Sequence, residues 1–119
     1  MSEKRYTGSD VFMRGIEVLA GGRSYMSNHF ILAEECAELT QAASKMVRYI
    51  DERTDDRNSK KDDAGKYIEL ADHILEESAD VLICIYTLMR IYGFSDDDLD
   101  VEVRSKMVRN LERIGKEVE

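Results

Sequence analysis

Apolar residues recur along this chain at the three- and four-residue intervals of amphipathic helices, with three breaks between the periodic segments. The pattern predicts helices over about 11–20, 24–52, 65–92 and 95–114. The residue types that cap helix N-termini stand before each of the first, second and fourth segments: Asp10, then Ser24 or Ser27, then Ser95 or Asp96. Glycine follows the first, third and fourth segments, as expected where helices end. The predicted fold class is therefore all-α, a four-helix bundle in a single domain covering 1–119.

The segment 51–66 carries almost no apolar residue and mixes acidic with basic side chains. It has no periodicity of either kind, so it predicts an exposed loop between the second and third helices. The alternative is a flap that closes over a ligand.

The two long helices each carry an apolar arc when their residues are placed on a wheel at about 100° per residue. In the second helix, the predicted core positions are Leu32, Cys36, Leu39, Ala42, Ala43, Met46, Val47 and Ile50. In the third, they are Leu70, Ala71, Ile74, Leu75, Val81, Leu82, Ile85, Leu88 and Met89. These arcs hold more apolar surface than a small monomer readily covers, which favours an oligomer.

Carboxylates interrupt both arcs. Glu35 falls inside the arc of the second helix and Glu38 lies at its edge, whereas Glu34 lies on the opposite, polar side. Glu77 and Asp80 flank the arc of the third helix, together with His73 and Cys84. Residues three apart lie one turn above each other on the same side of a helix. Two such helices packed side by side would bring four carboxylates together.

Charge and composition exclude several classes of protein. The chain has 119 residues and a formal net charge of −8, which argues against a nucleic-acid surface. No apolar run approaches the ~18 residues of a membrane span, and the N-terminus does not resemble a signal peptide. The two cysteines, Cys36 and Cys84, are expected to be buried, reduced thiols of a cytoplasmic protein.

The four carboxylates form an all-oxygen set that suits Mg²⁺ or Mn²⁺ and not zinc. Without a cation or a proton, buried carboxylates would repel one another and lose hydration. A single acidic pair also occurs by chance on a solvated helix face, and that remains the alternative for each pair. A di-iron bundle requires Glu-x-x-His on facing helices, but Glu69 and His73 are four apart.

A divalent-ion cluster in an acidic protein predicts an anionic substrate bridged by metal. Lys106, Asn110 and Arg113 share one face of the fourth helix and offer donors for phosphate oxygens. Taken alone, they are equally well explained as a charged outer face.

The order of these three motifs resembles the MazG-like branch of the all-α nucleoside triphosphate pyrophosphohydrolases. The motifs are Glu35-x-x-Glu38, then Glu77-x-x-Asp80 followed by Val-Leu-Ile, then Lys106-x-x-x-Asn110-x-x-Arg113. The likeness covers roughly 26–114. It departs from compact members of the family in the longer interval between the acidic motifs, for which the polar loop accounts.

The resemblance implies a four-helix bundle of the all-α NTP pyrophosphatase type that assembles as a homodimer or homotetramer. It implies that Glu35, Glu38, Glu77 and Asp80 hold Mg²⁺, for which Mn²⁺ may substitute. The reaction would cleave a nucleoside or deoxynucleoside triphosphate to the monophosphate and pyrophosphate, as in nucleotide-pool control or house-cleaning. The implied catalytic set is Glu34, Glu35 and Glu38, with Glu34 orienting or deprotonating the attacking water. Lys106, Asn110 and Arg113 would bind the triphosphate.

Three other functions remain open. Within the same enzyme class they are a phosphoribosyl-ATP pyrophosphatase and a dUTPase-like enzyme. Outside it, the chain would be a catalytically silent helical module that binds a partner.

Overall fold

The structure is a computed structural model, and it describes residues 5–54 and 64–115. These residues form four α-helices and no strand, which confirms the all-α class. The helices are α1 (Asp10–Gly22), α2 (Tyr25–Thr54), α3 (Ala64–Tyr92) and α4 (Asp96–Arg113). None of these helices is long and apolar enough to cross a bilayer.

Local hydrogen bonds explain where the helices begin. The Ser24 hydroxyl accepts from the Ser27 N–H at 3.0 Å and caps α2, as one of the two sequence alternatives predicted. Ser95 caps α4 through a capping box with Asp98, whose carboxylate accepts from the Ser95 N–H at 2.9 Å. The prediction for α1 was wrong by one residue: the Ser9 hydroxyl accepts from the Phe12 N–H, so Ser9, not Asp10, is the cap.

The C-terminal ends of α3 and α4 also follow from the sequence, whereas α1 continues to Gly22 instead of ending before Gly21 as predicted. Gly93 and Gly115 have φ values of 77° and 72°, a left-handed conformation that ends α3 and α4 at low cost. Both ends of the segment predicted to be a polar loop are helical instead, because residues 51–54 continue α2 and residues 64–66 belong to α3. The remainder of that segment, and with it the flap hypothesis, lies outside the described residues.

The chain divides into two compact units. One comprises 1–22 and 87–119, and thus contains α1, the end of α3 and α4. Phe12 and Ile16 of α1 are buried there, and Glu17 pairs with Arg90 at 2.7 Å. The prediction of a single domain stays a prediction.

The second unit, 23–86, holds α2 and most of α3. The two helices form an antiparallel hairpin, since Glu38 lies beside Glu77 whereas Tyr49, nearer the connection, lies beside Tyr67 with ring centroids 6.4 Å apart. Ala42, Leu70 and Cys84 are buried in this unit. This hairpin carries all four of the carboxylates singled out in the sequence.

The prediction of the core was only partly right. Leu75 is 69% exposed and Val47 64% exposed, although both lie on the predicted apolar arcs. Cys36 is exposed too, contrary to the expectation that both thiols are buried, whereas Cys84 is buried as expected. The arcs are wider than the strip that one partner helix can cover, so their margins remain open in the single chain.

Candidate functional site

The acid cluster, defined as Glu35, Glu38, Glu77 and Asp80, lies where α2 and α3 pass each other. Glu35, Glu77 and Asp80 each offer a carboxylate oxygen, and these three oxygens lie within 4.8 Å of one another. Glu38 lies close enough to Glu35 and Glu77 for its charge to raise the pKa of both. The structure therefore brings three of the four predicted carboxylates together, and Glu38 is a neighbouring charge.

Two of the carboxylates are held away from water. Glu35 and Glu77 are half-buried, while Glu38 and Asp80 are exposed, so the cluster opens to solvent on one side. The Oε2 atoms of Glu35 and Glu77 are closed to solvent and have no hydrogen-bond donor among the described residues. A buried carboxylate oxygen without a partner is costly, because folding strips its hydration and returns nothing. The described residues alone do not satisfy these two atoms.

The electrostatics of the cluster follow from this packing. Burial raises the pKa of Glu35 first, and the neighbouring charges of Glu38, Asp80 and Glu77 raise it further. Burial likewise raises the pKa of Glu77, with Glu38 and Asp80 adding to the effect and His73 opposing it. In both residues the causes are lost hydration and like-charge repulsion. A cation in the cluster would relieve both.

His73 is the neighbour that partly offsets the negative charge. Its Nε2 lies 3.2 Å from Glu77 Oε1, one turn away on α3. The pair leaves the second oxygen of Glu77 unsatisfied. His73 follows no Glu-x-x-His spacing and contributes no atom to the group of three close carboxylate oxygens, which disfavours the di-iron alternative.

Cys84 borders the cluster on α3, one turn beyond Asp80. Burial raises the pKa of its thiol, Glu35 and Asp80 raise it further, and Arg23 opposes them. A raised pKa disfavours the thiolate, which is the form of cysteine that acts as a nucleophile.

The cluster fits a hard divalent cation on two grounds. Its ligands are all carboxylate oxygens, the donor type that Mg²⁺ and Mn²⁺ prefer. It also leaves two buried oxygens free of hydrogen bonds from the described residues, and a cation could satisfy them. The exposed carboxylates Glu38 and Asp80 provide an opening through which an ion and its remaining water ligands can enter.

The other residues predicted for the site are exposed side chains of α2 and α4. Glu34 is exposed on α2, next to Glu35 in sequence but on a different side of the helix. Lys106, Asn110 and Arg113 are all exposed on α4, which belongs to the other compact unit. Neither Lys106 nor Arg113 forms an ion pair with another residue in the described ranges 5–54 and 64–115.

The helical pattern places His73 on the flank of the apolar arc with Glu77 and Asp80, but the sequence did not identify it as a residue of the site. It also missed a cavity beside the cluster, which includes Lys45 on α2 and Asp72 on α3. The only available signal was the spacing of Asp72, His73 and Glu76 on the same side as Asp80. That spacing does not reveal which residues of a second helix lie opposite.

Comparison with protein-family models, with curated proteins and with solved structures found no match for this chain. A function for the chain is therefore inferred from the geometry of the acid cluster and from the resemblance in its motifs.

Proposed function

We propose that this protein is a Mg²⁺-dependent nucleoside triphosphate pyrophosphohydrolase that releases a nucleoside monophosphate and pyrophosphate. The observation that carries the proposal is the convergence of Glu35, Glu77 and Asp80, with Glu38 as a neighbouring charge. Two buried oxygens of this group have no hydrogen-bond donor among the described residues. Its order of motifs, including the basic residues of α4, supports the MazG-like assignment. Mn²⁺ would serve in place of Mg²⁺ because both prefer oxygen ligands.

The chain's own residues divide the work. Glu35, Glu38, Glu77 and Asp80 would hold the cation, which supplies charge neutralisation and a bound water of lowered pKa. Glu34 is the candidate to orient or deprotonate the attacking water, since it stands beside Glu35 and is open to solvent. Lys106, Asn110 and Arg113 would donate to phosphate oxygens. His73 keeps Glu77 oriented through their 3.2 Å contact.

The decisive experiment is a panel of ribonucleoside and deoxyribonucleoside triphosphates, incubated with Mg²⁺ and assayed for pyrophosphate and for the monophosphate. Phosphoribosyl-ATP and dUTP belong in the panel because they test the two alternatives within the class. Glu38→Gln, which removes one ligand charge at an exposed position, is the control for contaminating activity. Release of orthophosphate instead of pyrophosphate would refute the proposed bond cleavage. Binding without turnover would favour the silent partner-binding module.

We also propose that the protein is a homo-oligomer. α2 carries a shallow groove of about 500 Å³ lined by Leu39, Ala43 and Val47. On α3, Leu75 and Leu82 are exposed. Apolar surface of this kind is a common feature of contacts between subunits. Sedimentation equilibrium at micromolar concentration would give a dimer or tetramer, and a 13.7 kDa monomer would contradict the proposal.

A further inference from the structure

A cavity of about 610 Å³ lies between α2 and α3, beside the acid cluster. Lys45 lines it from α2, and the face of α3 between Gly65 and Glu76 lines it from the other side. His73 belongs to both places, because it lines the cavity and contacts Glu77 of the cluster. The volume of the cavity falls in the range of ~300–1,000 Å³ that is usual for small-molecule sites.

We propose that this cavity holds the nucleoside end of the substrate and that Asp72 selects a ribose over a 2′-deoxyribose. The inference rests on the proposed function, because it places the triphosphate at the acid cluster. It further specifies on which side of the acid cluster the nucleoside lies and which sugar the protein prefers.

Distance along the helix supports this placement. α3 rises ~1.5 Å per residue, so Asp72 lies about 7.5 Å and Glu69 about 12 Å from Glu77 along the axis. A nucleotide whose α-phosphate is held at the cluster reaches the first distance with its sugar and the second with its base. Lys45, two turns beyond Glu38 on the antiparallel helix, lies at the level where the base would be.

The charges in the cavity decide which end of the substrate enters. Among the described residues, three carboxylates line it, those of Glu69, Asp72 and Glu76, against the two amines of Lys45 and Lys66. Lys66 already lies 3.8 Å from Glu69. The excess of carboxylates repels phosphates but accepts hydrogen bonds from neutral donors, which are the hydroxyls of a sugar and the amino groups of a base.

Asp72 and Glu76 lie at the level of the sugar, nearer to the acid cluster than the base. Asp72 and Glu76 are four apart and share a face of α3, with Glu76 directly before Glu77. A ribose presents two adjacent hydroxyls, both of which can donate to this pair, whereas a 2′-deoxyribose presents one. Farther from the acid cluster, Lys45 can donate to a ring nitrogen or carbonyl of the base. Ile68 and Leu70 offer apolar contacts.

The test measures binding without turnover. The four α,β-methylene ribonucleoside triphosphates and their 2′-deoxy counterparts would be titrated calorimetrically into the protein with Mg²⁺, and inorganic tripolyphosphate would be titrated in parallel. We expect the ribonucleotide analogue to bind about tenfold more tightly than its deoxy counterpart, the effect of one hydrogen bond to a charged group. Asp72→Ala should bring that ratio close to one, and Lys45→Ala should weaken both nucleotides alike. Neither variant should change tripolyphosphate binding.

Asp100→Ala on α4 is the matched control, since Asp100 is exposed and lies outside the cavity. It should leave every affinity unchanged. If Asp72→Ala weakened the binding of tripolyphosphate and of nucleotide equally, the inference would be overturned, because Asp72 would then lie at the phosphates. A parent protein that binds all these ligands but does not discriminate between the sugars would overturn the inference alone. Failure of the parent to bind any of them would instead overturn the proposed function.

Discussion

The acid cluster and the basic face of α4 were singled out in the same way, by residues three or four apart on one side of a helix. Their surroundings in the structure differ. Glu35 and Glu77 are half-buried and each leaves an oxygen unsatisfied by the described residues, whereas Lys106 and Arg113 are exposed on a helix with no buried residue. A charged residue that intrudes on an apolar arc has lost hydration, so something must compensate it. A charged residue on an open face needs no such explanation.

The largest effect is expected from Asp80→Asn, which keeps the side-chain size and removes one ligand charge. An amide coordinates a hard cation far less well than a carboxylate, so turnover should fall by about a hundredfold or more. In EDTA the melting midpoint should rise modestly, because Asp80 contributes to the repulsion that raises the pKa of Glu35 and of Glu77. The shift produced by Mg²⁺ should shrink.

Thermal melts with EDTA and with millimolar Mg²⁺, together with steady-state rates, measure all three outcomes. Asp97→Asn, on the exposed first turn of α4, is the matched control and should retain activity. If Asp80 were only a solvated helix-face residue, the variant would remain active with an unchanged response to Mg²⁺. That result would remove the four-carboxylate site.

The second-largest effect tests whether the basic residues of α4 bind phosphate. Arg113→Ala should raise KM about tenfold with little change in stability, because an exposed arginine that binds phosphate contributes to substrate affinity and not to packing. Arg104→Ala is the control, since Arg104 is equally exposed and is paired at 3.8 Å with Asp100. Kinetics identical to those of the parent in both variants would give α4 a purely structural role.

Most of the fold was accessible from local signals. The starts of α2 and α4 follow from the caps Ser24 and Ser95, and the ends of α3 and α4 follow from Gly93 and Gly115. Each of these residues acts within one turn of the helix. The misplaced cap of α1 shows the limit of this reasoning. Ser9 and Asp10 are both good caps, and choosing between them requires the hydrogen bond to the Phe12 N–H.

Less of the site was predictable. The pairing of Glu35 with Glu38 and of Glu77 with Asp80 follows from helix periodicity, and only their meeting required two helices to pack. The cavity beside them depends on which residue of α2 faces Asp72, and the pairing register of the two helices sets that. Exposure of Val47 and Leu75 was missed for a related reason, since an apolar arc shows what can be buried and not what covers it.

The third prediction uses pH to separate the cluster from the exposed helix. The folded-state pKa values of Glu35 and Glu77 lie above the ordinary glutamate value of 4.5, so the folded protein binds protons that the unfolded chain has released. The stability contributed by these protons is complete below pH 4.5 and is lost as the pH rises through the folded-state pKa values. In EDTA, the parent should therefore lose more stability between about pH 5 and pH 8 than Glu35→Gln does.

Melting midpoints at the two pH values, with and without Mg²⁺, provide the measurement. Mg²⁺ competes with the protons, so its stabilising shift should be larger at the higher pH. Glu52→Gln, an exposed position near the end of α2, should keep the pH dependence of the parent. Parallel curves for the parent and Glu35→Gln would mean that this carboxyl is not perturbed.

The smallest expected effect concerns α4 itself. The Ser95 hydroxyl accepts from the Asp98 N–H at 3.1 Å, and the Asp98 carboxylate accepts in return from the Ser95 N–H. Ser95→Ala removes the first bond and should lower the free energy of unfolding by about 1 kcal/mol. Ser105→Ala, in the interior of the same helix, is the control and should be neutral or slightly stabilising, because alanine is the better helix former. Denaturant unfolding at a fixed Mg²⁺ concentration measures both.

The Mg²⁺-induced shift should stay the same in each variant, since the cap lies in α4 and the carboxylates lie in α2 and α3. A smaller Mg²⁺ shift in Ser95→Ala alone would mean that the order of α4 supports the acid cluster, and the cluster and α4 would then act as one.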